Sequence, residues 1–222
     1  MNNFILRINS DSEFFETTNV QFSTPCVTSS GATMVPFSIQ GHPLYIQTPI
    51  ITCPVGFRIF DKTGNNNNHK LLVNPTNEMN VMIQRIDDLV IDTIMQRSEE
   101  WFNKKFGSKE ILQALFYPSL KQTKNYPVSM NIRLRFSNDT GLPLFTVFDS
   151  NRTEIVFMEG EGVDKMLDIL KCKCQLRLII ANASVWGVSG RYGYGWDCVQ
   201  MQLCSNNTID MKSCMFQDDD EV

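Results

Sequence analysis

The sequence predicts a mainly β chain of the α+β class, a small curled sheet carrying a helical insertion. Three observations predict it. Apolar residues alternate with polar ones in the first third, repeat at three and four residues from Asn77 onward, and alternate again in the last third. No internal repeat and no second apolar core break this order. The 222 residues therefore make one domain with an insertion.

The elements follow in order. "NVQFSTPCV" alternates Val20 and Phe22 with Gln21 and Ser23; "TMVPFSIQ" follows the turn "SSGA", and "LYIQTPIITC" follows "GHP". Pro43, Pro49 and Pro54 limit how many of these strands are central, because proline lacks the ladder N–H. "FRIF" is a short strand, "DKTGNNNNHK" a polar loop tip, and "KLLV" resumes pairing. Met79, Met82, Ile83, Ile86, Val90, Ile94 and Trp101 mark the apolar face of a long helix reaching to Lys105, with Asp87, Asp88, Asp92 and Gln96 expected mostly elsewhere on the wheel. Gly107 reads as a stop and Ser108 as the N-cap of a second, short helix, "KEILQALFY", which Pro118 ends. The helical insertion is thus expected around 77–117. "SMNIRLRF" alternates Met130, Ile132, Leu134 and Phe136 with Asn131, Arg133 and Arg135. "LFTVFDSNRTEIVFM" reads as a hairpin turning at "DSNR", "GVDKMLDIL" as a short helix, and "CQLRLIIANASVWGVSGRYGYGWDCVQMQL" as a long strand pair around "SGR". A five-stranded Greek-key OB barrel suits this order, since it admits a helix between its third and fourth strands. The domain is expected over residues 1–210, followed by a disordered acidic tail over 211–222.

Several function classes lack support. No apolar run approaches the roughly 18 residues of a membrane helix. The start, "MNNFILRINSDSEFF", has neither a basic region nor a long apolar region, so no secretory signal is expected. Seven cysteines in mostly strand-like contexts suggest buried thiols in a reducing compartment. Cys172 and Cys174 form C-x-C with no second ligand pair at zinc spacing, so no metal is expected. His42 and His69 lack a nucleophile or acid in a recognisable arrangement, and no phosphate-loop, nucleophile-elbow or zinc-protease motif occurs. Neither an enzyme nor a cofactor is expected.

The charge is segregated. The chain carries 20 basic and 24 acidic side chains, a net of -4. Asp218, Asp219, Asp220 and Glu221 account for that imbalance, leaving a neutral body. Within the body, Lys104 to Phe136 holds Lys104, Lys105, Lys109, Lys121, Lys124, Arg133 and Arg135 against Glu110 alone. Aromatic residues interleave with these bases. Single-stranded nucleic acid needs that combination: cations follow the phosphates, and rings stack on unpaired bases. Trp101, Phe106 and Phe116 are expected to pack. Tyr117 and Tyr126, each followed by proline outside regular helix, are the better candidates for exposure. A second stretch, "SVWGVSGRYGYGWDCVQ", puts Tyr192, Tyr194 and Trp196 on one strand face, with Arg191 near the tip. These rings either staple the hairpin or face a ligand. Gly193 and Gly195 leave the other face bare, so something is expected to approach the backbone there.

The ordered set "NVQFSTP", "LYIQTPIITCPVGF", "WFNKKFGSKEILQALFYPSLKQTKNYP", "FTVFD", "YGYGWDCVQMQL" and the acidic end with its Phe216 resembles the single-stranded-DNA-binding protein family of nucleocytoplasmic large DNA viruses. That family is itself similar to the replicative single-strand binder of short-tailed phages. The likeness runs over about 19–204 plus the C-terminus. It departs at the end, where Val222 stands in place of a terminal aromatic. The resemblance implies an OB fold, no catalysis, and work in viral DNA replication, recombination and repair, in the host's cytoplasmic viral factory or nucleus. It also implies that Phe216 and the four acids dock a viral DNA polymerase, primase or helicase and compete with DNA for the basic groove. A homodimer is compatible with it. The rival reading is a β-rich structural or virion assembly protein without DNA binding.

Overall fold

The computed structural model describes residues 5–8, 20–39, 41–58, 69–182 and 184–205. The expected tail and the asparagine-rich loop tip lie outside the described residues. The strands are β1 (Ile5–Arg7), β2 (Val20–Phe22), β3 (Cys26–Val27), β4 (Thr33–Ile39), β5 (Leu44–Gln47), β6 (Ile51–Cys53) and β7 (His69–Val73). Helices α1 (Asn77–Phe102) and α2 (Lys109–Leu115) follow, then β8 (Phe116–Tyr117), β9 (Leu120–Lys121), β10 (Ser129–Leu134) and β11 (Thr146–Phe148). After α3 (Gly162–Ile169) come β12 (Cys174–Asn182), β13 (Ser184–Val188), β14 (Arg191–Tyr194) and β15 (Trp196–Ser205). The α+β class is therefore as the alternating and helical periods predict.

Among the described residues the strands form two sheets rather than one. A nine-stranded sheet runs β1-β5-β12-β15-β10-β7, with β11, β6 and β9 attached beside β15, β12 and β10. A bridge between Thr52 and Asn74 links β6 to the end of β7, so the pairings return on themselves. The six-stranded sheet runs β2-β4-β13-β14-β8, with β3 also on β4. The "SGR" strand pair is split between the two. Its outer part, β13 and β14, belongs to the small sheet, and its inner part, β12 and β15, to the large one. The long helix follows β7 and precedes β10. The helix between β11 and β12 is the eight-residue α3.

Alternation sets what each strand buries. Met130, Ile132 and Leu134 are fully buried on β10, as are Leu176, Leu178 and Ile180 on β12. The helix α1 starts at Thr76, whose hydroxyl accepts the Met79 N–H at 3.4 Å. It stops at Asn103, which takes the left-handed conformation (φ 49°) and donates its N–H to Glu99. Asparagine, not Gly107, is thus the stop. The face of α1 carrying Met79, Met82, Ile83, Ile86, Val90, Ile94 and Trp101 is buried as its spacing predicts. Trp101 meets Phe22 at 5.1 Å, which ties the helix to the small sheet. Cys53 and Cys174 are cross-strand partners, both fully buried, and serve as packing.

Asp87 departs from expectation. It lies on the buried face of α1, 2% exposed. It accepts the Tyr194 hydroxyl at 2.5 Å and the Ser119 N–H at 3.2 Å. Ser119 in turn accepts the Trp196 indole N–H at 3.3 Å. One carboxylate thereby ties α1 to the segment after β8 and to the two strands carrying Tyr194 and Trp196. Burial raises the Asp87 pKa, opposed by these hydrogen bonds. Burial, together with the charge of Asp87, also pushes the Tyr194 phenol well up.

Candidate nucleic-acid interface

The site begins with Tyr117. It ends β8, which pairs in parallel with β14, so Tyr117 sits opposite Gly193. The ring is 49% exposed. The Lys121 ammonium lies 4.4 Å from its centroid and also donates to its hydroxyl. That hydrogen bond holds the Tyr117 phenol below its ordinary range, with a further contribution from the charge of Lys70. Trp186 lies beside it, ring centroids 6.5 Å apart at 48°.

Glycine permits this pair. A Cβ on Gly193 would fall 2.9 Å from Trp186 Cζ2 and 3.1 Å from the Tyr117 carbonyl oxygen. At Gly195 it would fall 3.0 Å from the Arg133 guanidinium carbon. The bare face of the strand is thus filled by the chain's own Trp186, Tyr117 and Arg133.

Cations flank the aromatic pair. Arg133 on β10 and Arg135 just after it face outward, opposite the buried Met130, Ile132 and Leu134, as the alternation predicts. Lys70 on β7 is the register partner of Arg133. Arg133 and Arg135 share Asp197 of β15, at 2.6 and 2.8 Å. Asp197 thus pairs with Arg133 and Arg135, while Lys70 and Lys121 act on the Tyr117 hydroxyl. The β9–β10 hairpin adds its loop. Lys124 and Tyr126 are exposed there, Tyr126 at 70%, in a turn closed by Gln122 Nε2 donating to the Tyr126 carbonyl at 2.8 Å.

The remaining expected contacts fall elsewhere. Lys104 and Lys105 are exposed just after α1, with the Lys104 ammonium 5.6 Å from the Phe106 ring. Lys109 is ion-paired with Asp92. Arg191 donates to the Ala114 carbonyl at 3.1 Å, which anchors the β13–β14 hairpin to α2. Tyr192, Tyr194 and Trp196 are 4%, 4% and 1% exposed, so they offer no face to a base. Tyr192 packs on Phe102 and Phe106, and Tyr194 lies 5.7 Å from Trp196. Their expected role as a stacking platform gives way to a structural one: period-two spacing puts residues on a common face but does not say what covers it. Trp101, Phe106 and Phe116 are packed as expected. Phe216 and Asp218–Glu221 lie outside the described residues.

Comparison with known proteins gives the following. No protein-family model and no curated protein matches the sequence. Among solved structures, the chain is similar to the C-terminally truncated single-stranded DNA-binding protein of bacteriophage Enc34, with 8% identity, a TM-score of 0.45, and coverage of 86% of this chain and 98% of that one. The Enc34 protein in complex with ssDNA gives 8% identity, a TM-score of 0.43, and coverage of 84% and 93%. Bacteriophage T7 gp2.5, a single-stranded DNA-binding protein, gives 9% identity, a TM-score of 0.45, and coverage of 76% and 97%.

Sequence reasoning missed two residues of the patch. Lys70 stands next to the loop tip, and only its register with Arg133 brings it to Tyr117. Trp186 is one of three tryptophans, yet it alone is not buried. Its sequence signal is its place with Tyr192, Tyr194 and Trp196 in the aromatic, glycine-punctuated hairpin.

Proposed function

We propose that this chain is a non-enzymatic, sequence-tolerant single-stranded-DNA-binding protein that coats DNA in viral replication, recombination and repair. One observation carries the reading. Tyr117, half-exposed and capped by Lys121, stands beside Trp186 at the edge of a patch containing Lys70, Arg133 and Arg135. Exposed rings among cations suit unpaired bases joined by phosphates, and the π-face of any base will serve. Tyr126 and Lys124 extend the same surface. Lys104 and Lys105 provide a flanking phosphate contact. The ring of pairings β7-β10-β15-β12-β6 supports reading the large sheet as a five-stranded Greek-key barrel, with α1 and α2 as the insertion.

The test is a tryptophan-fluorescence titration with oligo(dT), oligo(rU) and duplex at two salt concentrations. Trp186 is the accessible reporter. Salt-sensitive quenching by oligo(dT), much weaker with duplex, is expected. No quenching at low salt would favour a β-rich assembly protein instead.

The tail belongs to the same reading. Phe216 and the four acids would dock a replication enzyme and compete for the groove. A chain ending after Met215 should bind oligo(dT) more tightly at low salt, since a tethered competitor acts at an effective concentration of up to about millimolar. Equal affinity with and without the tail would remove the self-competition.

A further inference from the structure

A second basic concavity lies on the outer face of the large sheet. Its volume is about 520 Å³, and Arg7, Arg152, Arg177, Gln47, Gln200 and Gln202 line it. Sheet register brings these scattered residues together. Arg7 pairs with Gln47, Gln47 with Ile179, and Ile179 with Gln200. In the next row Arg177 pairs with Gln202, and Gln202 with Phe148. Arg177 and Ile179 alternate with the buried Leu176, Leu178 and Ile180, so they face outward. Arg152 enters from the turn after β11, where its backbone is left-handed (φ 65°) and its N–H donates to the Asp149 carbonyl at 3.1 Å.

The lining has a definite chemistry. Among the described residues that line it there is no Asp or Glu. Guanidinium groups stay charged and match phosphate oxygens two at a time. Glutamine amides both donate and accept, so they serve phosphates and base edges alike. Phe148 adds a half-buried ring. The volume falls within the roughly 300–1,000 Å³ of small-ligand sites, so a nucleotide unit fits.

The two basic surfaces share β15. Asp197 belongs to the first, and Gln200 and Gln202 to the second. At strand rise the separation along β15 is roughly 10–17 Å. We propose that the concavity of Arg7, Arg152 and Arg177 is a second phosphate-binding station for the same single strand, reached after it crosses β15. The proposal rests on the single-strand reading above. It makes the footprint longer than the Tyr117 patch alone and divides binding into two stations.

The test uses the full chain with Arg152→Ala and Arg177→Ala together, titrated with oligo(dT) near the short and long ends of single-barrel site sizes, about 4 and 16 nucleotides. The short strand, held at Tyr117 and Trp186, should bind the variant within about twofold of wild type. The long strand should lose affinity about tenfold or more, and its salt slope should become shallower by about 1.4, the share of two phosphates. Gln200→Glu, which adds one carboxylate at an exposed position, should shift the long strand in the same direction and guards against a folding defect in the double variant. Unchanged long-strand affinity would overturn the second station. Equal loss for short and long strands would also overturn it, since the concavity would then be the primary site. Inorganic triphosphate binding lost in the variant, with long-strand affinity intact, would mark a free-phosphate pocket and overturn it too. Failure of wild type to bind either strand would sink the single-strand reading itself.

Discussion

At the scale of single residues, Tyr117 and Asp87 make opposite predictions. Tyr117 is half-exposed, and its hydroxyl is held by the surface residue Lys121, so Tyr117→Ala should leave thermal stability nearly unchanged. It should weaken oligo(dT) binding by the worth of one stacked base, about 1–3 kcal/mol. Trp186→Phe should abolish most of the fluorescence response while binding, followed by anisotropy, persists. Asp87 is buried, and its removal strands the Tyr194 hydroxyl and the Ser119 N–H, each at about 1–3 kcal/mol. Asp87→Ala should therefore destabilise by about 2–4 kcal/mol, or roughly 5–15 °C in Tm. The pH dependence has a defined sign. Burial raises the Asp87 pKa, so the folded protein binds its proton more tightly than the unfolded chain does. That contribution is fully present below the unfolded carboxylate pKa of about 3.9 and is lost as pH rises through the folded value. The Tm advantage of wild type over Asp87→Asn should shrink over that window; an advantage that grows with pH would contradict the sign.

At the scale of elements, two hairpins carry the proposed contacts. The β13–β14 hairpin presents Trp186 because Gly193 lets the indole and Tyr117 close over the strand. Gly193→Ala forces a contact at 2.9 Å and should displace the pair. The expected cost is about 1–3 kcal/mol of stability, with weaker strand binding alongside. The β9–β10 hairpin presents Lys121, Lys124 and Tyr126, whereas Lys104 and Lys105 belong to the end of α1. Lys121→Glu with Lys124→Glu should thus weaken oligo(dT) binding more than Lys104→Glu with Lys105→Glu. Both pairs should flatten the salt dependence, because each would remove the phosphate contacts proposed for it. Comparing salt slopes of the two double variants ranks the elements, and a larger loss from the α1 pair would move the groove to that side.

At the scale of the whole molecule, net charge is a poor guide, because the field is local. The chain carries -4, yet its described surface holds two basic areas built from different strands. If four to six cations meet phosphate, log K against log salt should have a slope of about -3 to -4, and a slope near zero would remove the electrostatic reading. The amino-acid pattern by itself determined the α+β class, the buried stripe of α1 and the outward direction of Arg133 and Arg135, because period and alternation are local properties of the backbone. It also marked Tyr117 and Tyr126 as candidates for exposure, since the proline after each keeps it out of regular helix, and both are exposed. Only the tertiary structure decided what covers each face. Tyr194 is buried because Asp87, 107 residues earlier in the chain, meets its hydroxyl. Trp186, on the interior strand β13, stays partly exposed because its cross-strand neighbour Gly193 has no side chain to cover it, and Arg7, Arg152 and Arg177 converge because register joins β1, β12 and the turn after β11. Side-chain direction follows from neighbours in sequence; burial and convergence follow from strand pairing between segments far apart, which no local period encodes.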